Sequence, residues 1–157
     1  MGKFNDKISA EFHPPRKWVL ERALSYTNKD LEVEALRKIG AQITAGGKIT
    51  CKKDFVTDLA SVPRICWMLI APWDIARAAI IHDLLYKRIR QYRAKLDKDN
   101  LQYDQISAYN AAKKEADKVF LAAMKDADPA VPKWKIYSAY YSVVLCGRWS
   151  IIPREED

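Results

Sequence analysis

The pattern of polar and apolar positions divides the chain into a β-rich N-terminal third and a helical remainder. Short alternating runs occur at residues 7–12, 18–27 and 48–52, and Gly46-Gly47 precedes the last of them. Alternation of this kind is typical of strands with one buried face, and paired glycines favour a turn. We therefore predict strands in these three segments, with the third able to pair with the second.

One N-terminal segment fits a helix as well as a strand. Its apolar residues at 31, 33, 36 and 39 have helical spacing. Asp30 can cap such a helix, and Gly40 can end it in the left-handed conformation. We expect a short helix there, with a strand as the alternative.

From residue 62 onward the apolar spacing is helical. A short helix is predicted at 65–70, before Ala71-Pro72 interrupts the pattern. The next helix runs from Ile75 to about Arg90, with Asp74 as its predicted N-cap. Apolar residues surround much of its first half, so we expect it to be the central helix.

The remaining pattern completes the expected fold. A polar stretch at 93–110 is predicted to be an exposed loop, and two helices follow, one from residue 107 or 110 to 125 and one from 132 to about 145. Gly147 is the predicted stop of the last helix. The fold class is therefore α+β: one domain, 1–157, with a small antiparallel β layer packed on a mainly helical C-terminal two-thirds.

Charge narrows the class of partners. The formal net charge is +7 and the isoelectric point is about 9.3. This balance favours an anionic polymer or an acidic protein surface as partner. The densest basic run, residues 87–95, fits a solvated helix end, with a nucleic-acid surface as the alternative.

Cysteine spacing and hydropathy argue against a disulfide-rich protein, a cysteine zinc site and a membrane-spanning protein. Cys51, Cys66 and Cys146 are widely spaced and form no CxxC pair, so we interpret them as free thiols. No apolar run is long enough to span a membrane, and the N-terminus lacks the apolar core of a signal peptide.

His82 and Asp83 are polar residues in the apolar helix predicted at 75–90. Neighbouring positions point about 100° apart on a helix, so the two side chains can meet at one point only at the edge of a cleft. That arrangement is familiar from metal sites. The alternative is structural: His82 binds a backbone carbonyl, and Asp83 pairs with Lys87 or caps a neighbouring helix.

Asp58 and Ser61 follow a predicted strand and precede a helix, where loops often present functional groups. Ser61 fits a cap for the helix that begins near Pro63. Apolar neighbours suggest that Asp58 is buried and needs a metal or a cation, for which Arg64 is a candidate.

Asp117 lies near the apolar stripe of its helix, and a pair with Lys113 or Lys114 is its structural alternative. If Asp58, His82, Asp83 and Asp117 converge, they supply one nitrogen and up to three carboxylates. Such a set suits zinc, manganese, iron or magnesium, and the ion would activate water for hydrolysis.

The aromatic residues of the helical part are expected to be mostly core. Trp134, Tyr137, Tyr140 and Tyr141 recur at helical spacing, and Trp73 beside Pro72 is the one expected to line a cleft.

Four blocks in order resemble a known family. They are residues 55–64 (FVTDLASVPR), 71–73 (APW), 78–86 (AAIIHDLLY) and 114–120 (KEADKVF). They are similar to a family of small phage and prophage proteins, domain of unknown function 1353, over roughly residues 17–145. Asp58, Ser61, His82, Asp83, Tyr86 and Asp117 match its pattern. The resemblance implies a phage origin, with phage or host proteins as partners. Because the N-terminus lacks a signal-peptide core, we expect the protein in the host cytoplasm, with the virion as the alternative for a phage component.

Two functions follow as hypotheses. In the first, the protein is a metal-dependent hydrolase of a phosphodiester or cell-wall substrate. Zinc, manganese or magnesium would be held by His82, Asp83, Asp117 and Asp58; Asp58 is a ligand or general base, and Ser61 and Tyr86 orient the substrate. In the second, the same residues form a buried polar network in a non-enzymatic virion or host-interaction protein.

Overall fold

The computed structural model describes residues 1–15, 17–58 and 72–155, with the backbone alone described for 72–74. The predicted α+β class is confirmed. Strands fill the N-terminal part, and three long helices form the C-terminal part of the described chain. The predicted helix at 65–70, Cys66, Ser61 and Arg64 lie outside the described residues.

Six short strands of the described chain form two antiparallel three-stranded sheets. The strands are β1 (Lys3–Phe4), β2 (Ala10–His13), β3 (Lys17–Leu20), β4 (Leu24–Thr27), β5 (Lys48–Cys51) and β6 (Val56–Thr57). One sheet has the order β1-β4-β5 and the other has the order β2-β3-β6. The predicted pairing of the 48–52 strand is confirmed, because β5 pairs with β4.

The predicted single strand at 18–27 is two strands in different sheets. β3 ends at Leu20 and β4 begins at Leu24. Leu20 closes the second sheet by exchanging backbone hydrogen bonds with the Asp54–Phe55 turn. The chain then bends at Glu21 and Arg22 and enters the first sheet. Leu20 before the bend and Leu24 after it are both buried apolar residues, so the sequence pattern does not reveal where one strand ends and the next begins.

Helix α1 (Glu34–Lys38) is shorter than the predicted 31–39 helix, and Asp30 is not its cap. The Glu115 carboxylate instead accepts hydrogen bonds from the amides of Ala35 (3.1 Å) and Leu36 (2.9 Å). A carboxylate from a distant helix therefore satisfies the free amides of the first turn. Gly40 has φ of 91° and is the predicted left-handed stop.

The long helices are α2 (Pro72–Ala94), α3 (Tyr103–Lys125) and α4 (Lys133–Ser150). Asp74 is inside α2, not at its N-cap, because the helix already begins at Pro72. The predicted polar loop is shorter than 93–110, since α2 continues to Ala94 and α3 begins at Tyr103 behind a capping box of Gln102 and Gln105.

Helix α2, which is expected to be the central helix, packs against α3 on one side and strands β4 and β5 on another. Helix α3 in turn packs against α1, α2 and α4. Where α2 meets the sheet, the buried Cys51 thiol contacts the Ile80 carbonyl oxygen at 3.6 Å. Cys51 and Cys146 are free thiols, as predicted. No helix in the described ranges is long and apolar enough to cross a membrane.

Candidate functional site

A buried polar network joins helices α2 and α3. His82 and Tyr86 lie one turn apart on α2, and Lys113 and Asp117 lie one turn apart on α3. Asp117 Oδ1 is 3.1 Å from His82 Nε2 and accepts a hydrogen bond from the Tyr86 hydroxyl at 2.7 Å. Lys113 Nζ donates to Asp117 Oδ2, also at 2.7 Å. We call these four residues the buried network.

The buried network is closed to solvent. His82 and Tyr86 are 0% exposed and Asp117 is 3% exposed. The aromatic rings of Tyr86 and Phe120 lie 4.0 and 4.8 Å from the His82 ring. A substrate that remains in solvent therefore cannot reach the imidazole or the carboxylate.

Helix α4 closes the network from the third side. Gly147 is buried inside α4, so it is not the predicted helix stop. A Cβ atom at this position would lie 2.2 Å from the Tyr86 hydroxyl and 3.0 Å from Lys113 Cε. The glycine is required because α4 comes so close to the network.

Burial sets the protonation states of the network. It lowers the pKa of His82, and the hydrogen bond and negative charge of Asp117 oppose this shift without overcoming it. Burial disfavours the Asp117 anion, but the hydrogen bonds from His82, Lys113 and Tyr86 outweigh that effect and lower the pKa of Asp117. Burial and the Asp117 charge raise the pKa of Tyr86. The network therefore holds a neutral imidazole, a carboxylate and a neutral phenol, and Lys113 donates a hydrogen bond to the carboxylate.

This state also fixes the histidine tautomer. A neutral imidazole beside a carboxylate must carry its proton on Nε2, which donates to Asp117. Nδ1 of His82 is then a lone-pair acceptor, and it has no hydrogen-bond partner in the described structure. A second proton on Nδ1 would be a buried donor without an acceptor, which agrees with the lowered pKa of His82.

A second, open site lies next to the buried network. It is a polar cavity of about 100 Å³. We call it the basic pocket, and its described lining residues are Lys17, Phe55, Val56, Thr57, Asp58, Asp83, Lys87, Arg90, Ser150 and Arg154.

Asp83 is the carboxylate at the base of the basic pocket. It is 8% exposed, and its Oδ2 accepts a hydrogen bond from the hydroxyl of Thr57, which is 3% exposed. Thr57 is on β6, so this bond joins the end of the second sheet to α2. Asp58 lies at the rim and, contrary to expectation, is partly exposed: its side chain is 42% accessible and its Oδ2 is 3.6 Å from Arg154.

The predicted site residues therefore divide between two places. His82, Tyr86 and Asp117 belong to the buried network, whereas Asp58 and Asp83 line the basic pocket. The pair of Asp117 with Lys113, its structural alternative, is present. Within the described ranges, no group of three or more His, Cys, Asp or Glu side chains is arranged to hold a metal ion.

The donors of the basic pocket differ in kind from those predicted. Asp58, Asp83 and Thr57 offer oxygen atoms alone. Zinc sites usually contain histidine or cysteine, whereas magnesium often binds through one or two carboxylates together with water and substrate phosphate. The residues of the pocket therefore fit a magnesium- or manganese-type ion better than zinc.

Sequence reasoning missed the cations of the pocket. The sequence predicts that the run at 87–95 is a solvated helix end or, as the alternative, a nucleic-acid surface, whereas Lys87 and Arg90 of this run line the pocket beside Asp83. They lie four and seven residues after Asp83, a spacing that places all three on one helix face and that could have revealed the pocket. Lys17 and Arg154 come from distant parts of the chain and carry no comparable local signal.

Comparison with known proteins places the chain in a family. Residues 33–143 match the model of the family described as protein of unknown function DUF1353. The chain belongs to this family. The matched range includes the buried network and, in the basic pocket, Asp58, Thr57 and Asp83. No curated protein and no solved structure gave a significant match.

Proposed function

We propose that the protein is a metal-dependent hydrolase of a phosphodiester substrate and that the basic pocket is its active site. The observation that carries this proposal is Asp83, a carboxylate almost fully buried at the base of a pocket whose other charged residues are mostly cations. Buried carboxylates that open onto a cleft are characteristic of catalytic sites.

The charge of the pocket favours an anionic substrate. The described lining contains four cationic side chains, Lys17, Lys87, Arg90 and Arg154, against the two carboxylates Asp58 and Asp83. Arginine and lysine bind phosphate through charge-assisted hydrogen bonds. The excess of cations over carboxylates attracts anions, so a phosphodiester is favoured over a neutral cell-wall sugar.

The shape of the surface favours a polymer. A second cavity of about 290 Å³ adjoins the basic pocket and shares Phe55, Val56 and Lys87 with it. Lys52, Lys53 and Arg88 also line this cavity. A phosphodiester chain can place one phosphate in each cavity, which extends the ionic contact beyond a single group.

The residues have distinct roles in this proposal. Thr57 orients Asp83 through their hydrogen bond, and Asp83 and Asp58 position water or hold an ion. A bound magnesium or manganese ion would polarise a phosphoryl oxygen and lower the pKa of water. Arg90 and Lys87 would bind the phosphate. In this proposal, His82, Tyr86 and Asp117 hold α2 and α3 together. The hypothesis from the sequence instead gave them roles in metal binding and catalysis.

Hydrolysis of bis(p-nitrophenyl) phosphate and of single-stranded DNA, with magnesium, manganese or zinc added after dialysis against EDTA, tests this function. We expect turnover that requires magnesium or manganese and is lost in Asp83→Asn. Asp99→Asn is the matched control, because it removes the same charge from an exposed loop, and it should retain the wild-type rate. Equal rates in wild type and Asp83→Asn, or no turnover with any of the three ions, would contradict the proposal.

A second candidate is a non-enzymatic phage component, found in the virion or bound to a host protein. It is supported by the complete burial of His82, whose imidazole contributes to packing and hydrogen bonding. Here the pocket would bind an anion without cleaving it. Isothermal titration with a short DNA strand that the protein binds but does not degrade would favour this candidate.

A further inference from the structure

Helix α4 exposes a continuous apolar face. Its inner side packs into the core through Ile136, Ala139, Val143 and Gly147. The opposite side consists of large exposed residues, which we call the aromatic stripe: Trp134, Tyr137, Tyr141, Leu145, Trp149 and, just after the helix, Ile152. At about 100° per residue, the five helical members fall within an arc of about 120°. The expectation that Trp134, Tyr137 and Tyr141 are core residues is therefore wrong.

The aromatic stripe is as large as a protein interface. Its members are between 39% (Tyr137) and 70% (Leu145) exposed. With about 150–250 Å² for each fully buried aromatic side chain, the exposed area is on the order of 700 Å². The largest apolar patch on a typical monomer is about 300–600 Å², and a standard interface buries about 800 Å² per partner.

The charged side chains of α4 itself are all of one sign. Between Lys133 and Ser150, α4 contains Lys133, Lys135 and Arg148 and no acidic residue. Lys135 and Arg148 lie 5.8 and 4.5 Å from the rings of Trp134 and Trp149, at the two ends of the stripe. Lys125 of α3 lies 5.4 Å from the Tyr137 ring. A partner that covers the rings must therefore meet cations at both ends and at one side.

We propose that the aromatic stripe docks an amphipathic helix of another protein whose apolar face is flanked by acidic residues. A long helix matches the straight shape of the stripe, and its carboxylates would lie beside Lys125 and Arg148. Trp, Tyr and Arg are the residues most enriched at the centres of such interfaces. This proposal does not depend on the hydrolase, because the stripe shares no residue with the basic pocket.

The same observations disfavour two other occupants. In a pair of α4 helices from two copies, antiparallel contact places Lys133 and Lys135 beside Arg148, and parallel contact places each cation beside its equivalent. Both arrangements bring like charges together in a chain of net charge +7. A lipid surface would have to cover the phenol hydroxyls of Tyr137 and Tyr141 at the middle of the stripe, where acyl chains offer no hydrogen-bond acceptor.

Fluorescence anisotropy with a synthetic helix tests the proposal. The probe is a labelled peptide of the length of α4, 18 residues, with leucine on one face and glutamate on its flanks, and the control peptide has lysine in place of glutamate. We expect the full chain to bind the glutamate peptide at least tenfold more tightly than the lysine peptide, and more weakly as salt is added.

Matched variants locate the binding surface. Tyr141→Ser should weaken binding of the glutamate peptide about tenfold, as for a central interface aromatic. Tyr103→Ser, which alters an 86% exposed tyrosine on α3, should leave it unchanged. Both variants should melt at the wild-type temperature.

Equal affinity for the two peptides would overturn the proposal. A wild-type dimer in sedimentation that Tyr141→Ser dissociates would overturn it by showing that a second copy occupies the stripe. Tighter binding to phosphatidylglycerol vesicles than to the glutamate peptide would overturn it in favour of a lipid surface, and a large fall in the melting temperature of Tyr141→Ser would show that the stripe packs within its own chain.

Discussion

The buried network and the basic pocket begin at consecutive residues of one helix but differ in almost every physical property. His82 is fully buried and hydrogen-bonded to α3, whereas Asp83 is hydrogen-bonded to β6 and lines an open cavity. In the buried network, every polar side-chain atom except His82 Nδ1 has a hydrogen-bond partner within the described fold. The basic pocket gathers charged groups around an opening. A conspicuous His-Asp pair in a sequence therefore need not be one site, because a single helical step of about 100° can separate a fully buried residue from one that lines an open pocket.

The largest effect is expected from Asp117→Ala. It removes the acceptor shared by His82, Tyr86 and Lys113, and leaves the Lys113 ammonium unpaired in a mostly buried position. Loss of one partner of a buried ion pair costs about 3–5 kcal/mol. Urea denaturation should show this decrease in the free energy of unfolding, and the exposed-loop variant Asp99→Ala should show almost none.

Gly147→Ala should be the next most disruptive change. The added Cβ would contact the Tyr86 hydroxyl and Lys113, so α4 must move away from the network. Overpacking of this kind costs about 1–3 kcal/mol, which exceeds the gain of up to about 1 kcal/mol from replacing a helical glycine. Gly46→Ala is the control, since its new Cβ would have only Thr44 Oγ1 nearby, at 4.0 Å. Similar melting temperatures for the two variants would show that α4 does not seal the network.

The pH dependence of stability should separate the two sites further. The pKa of His82 is lower in the folded protein than its ordinary value of 6.5, so below about pH 6.5 the unfolded chain binds the proton that the folded chain excludes. Stability should therefore fall with decreasing pH, by at most about 1.4 kcal/mol per pH unit for one proton, and stay level above about pH 7.5. Asp117, whose pKa is also lowered, adds a further loss only below its ordinary value of 3.8.

The variant His82→Gln tests whether His82 causes the loss of stability below about pH 6.5. Between pH 8 and 5, the denaturation midpoint of His82→Gln should depend much less on pH than that of the wild type. The other histidine, His13, is exposed, so His13→Gln should keep the wild-type slope. An unchanged slope in His82→Gln would show that the imidazole is not held neutral by burial.

The smallest effect on stability is expected from Asp83→Asn. Asparagine has nearly the same shape as aspartate and can still accept the hydrogen bond from Thr57. The free energy of unfolding should change by less than about 1 kcal/mol. A decrease in the free energy of unfolding as large as that of Asp117→Ala would show that Asp83, like the buried network, holds the fold together.

The sequence predicted the elements better than the directions of their side chains. Helical spacing indicated α2 and α3, and it offered a pair of Asp117 with Lys113 or Lys114 as the structural alternative to a metal role; the pair with Lys113 is present. The separation of His82 from Asp83 depends on which neighbour faces each side of α2, and that is decided by tertiary packing. The capping of α1 by Glu115 is likewise a contact between distant segments.

Two further errors share a physical cause. Gly147 ends no helix, because close approach to Tyr86 is a second reason for glycine that sequence alone does not distinguish from a stop. The aromatic residues of α4 were expected in the core, because helical spacing marks an apolar face but not what covers it. In both cases the local pattern is correct and its tertiary meaning is not encoded locally.

The central claim is that the basic pocket performs the chemistry and the buried network holds the fold. It is tested most directly by measuring phosphodiester hydrolysis and the free energy of unfolding together for Asp83→Asn and His82→Gln, with rates expressed per folded molecule. The account predicts that Asp83→Asn loses turnover and keeps its stability, while His82→Gln loses stability and keeps the turnover of its folded fraction. The reverse pattern, with turnover lost in His82→Gln and retained in Asp83→Asn, would contradict it.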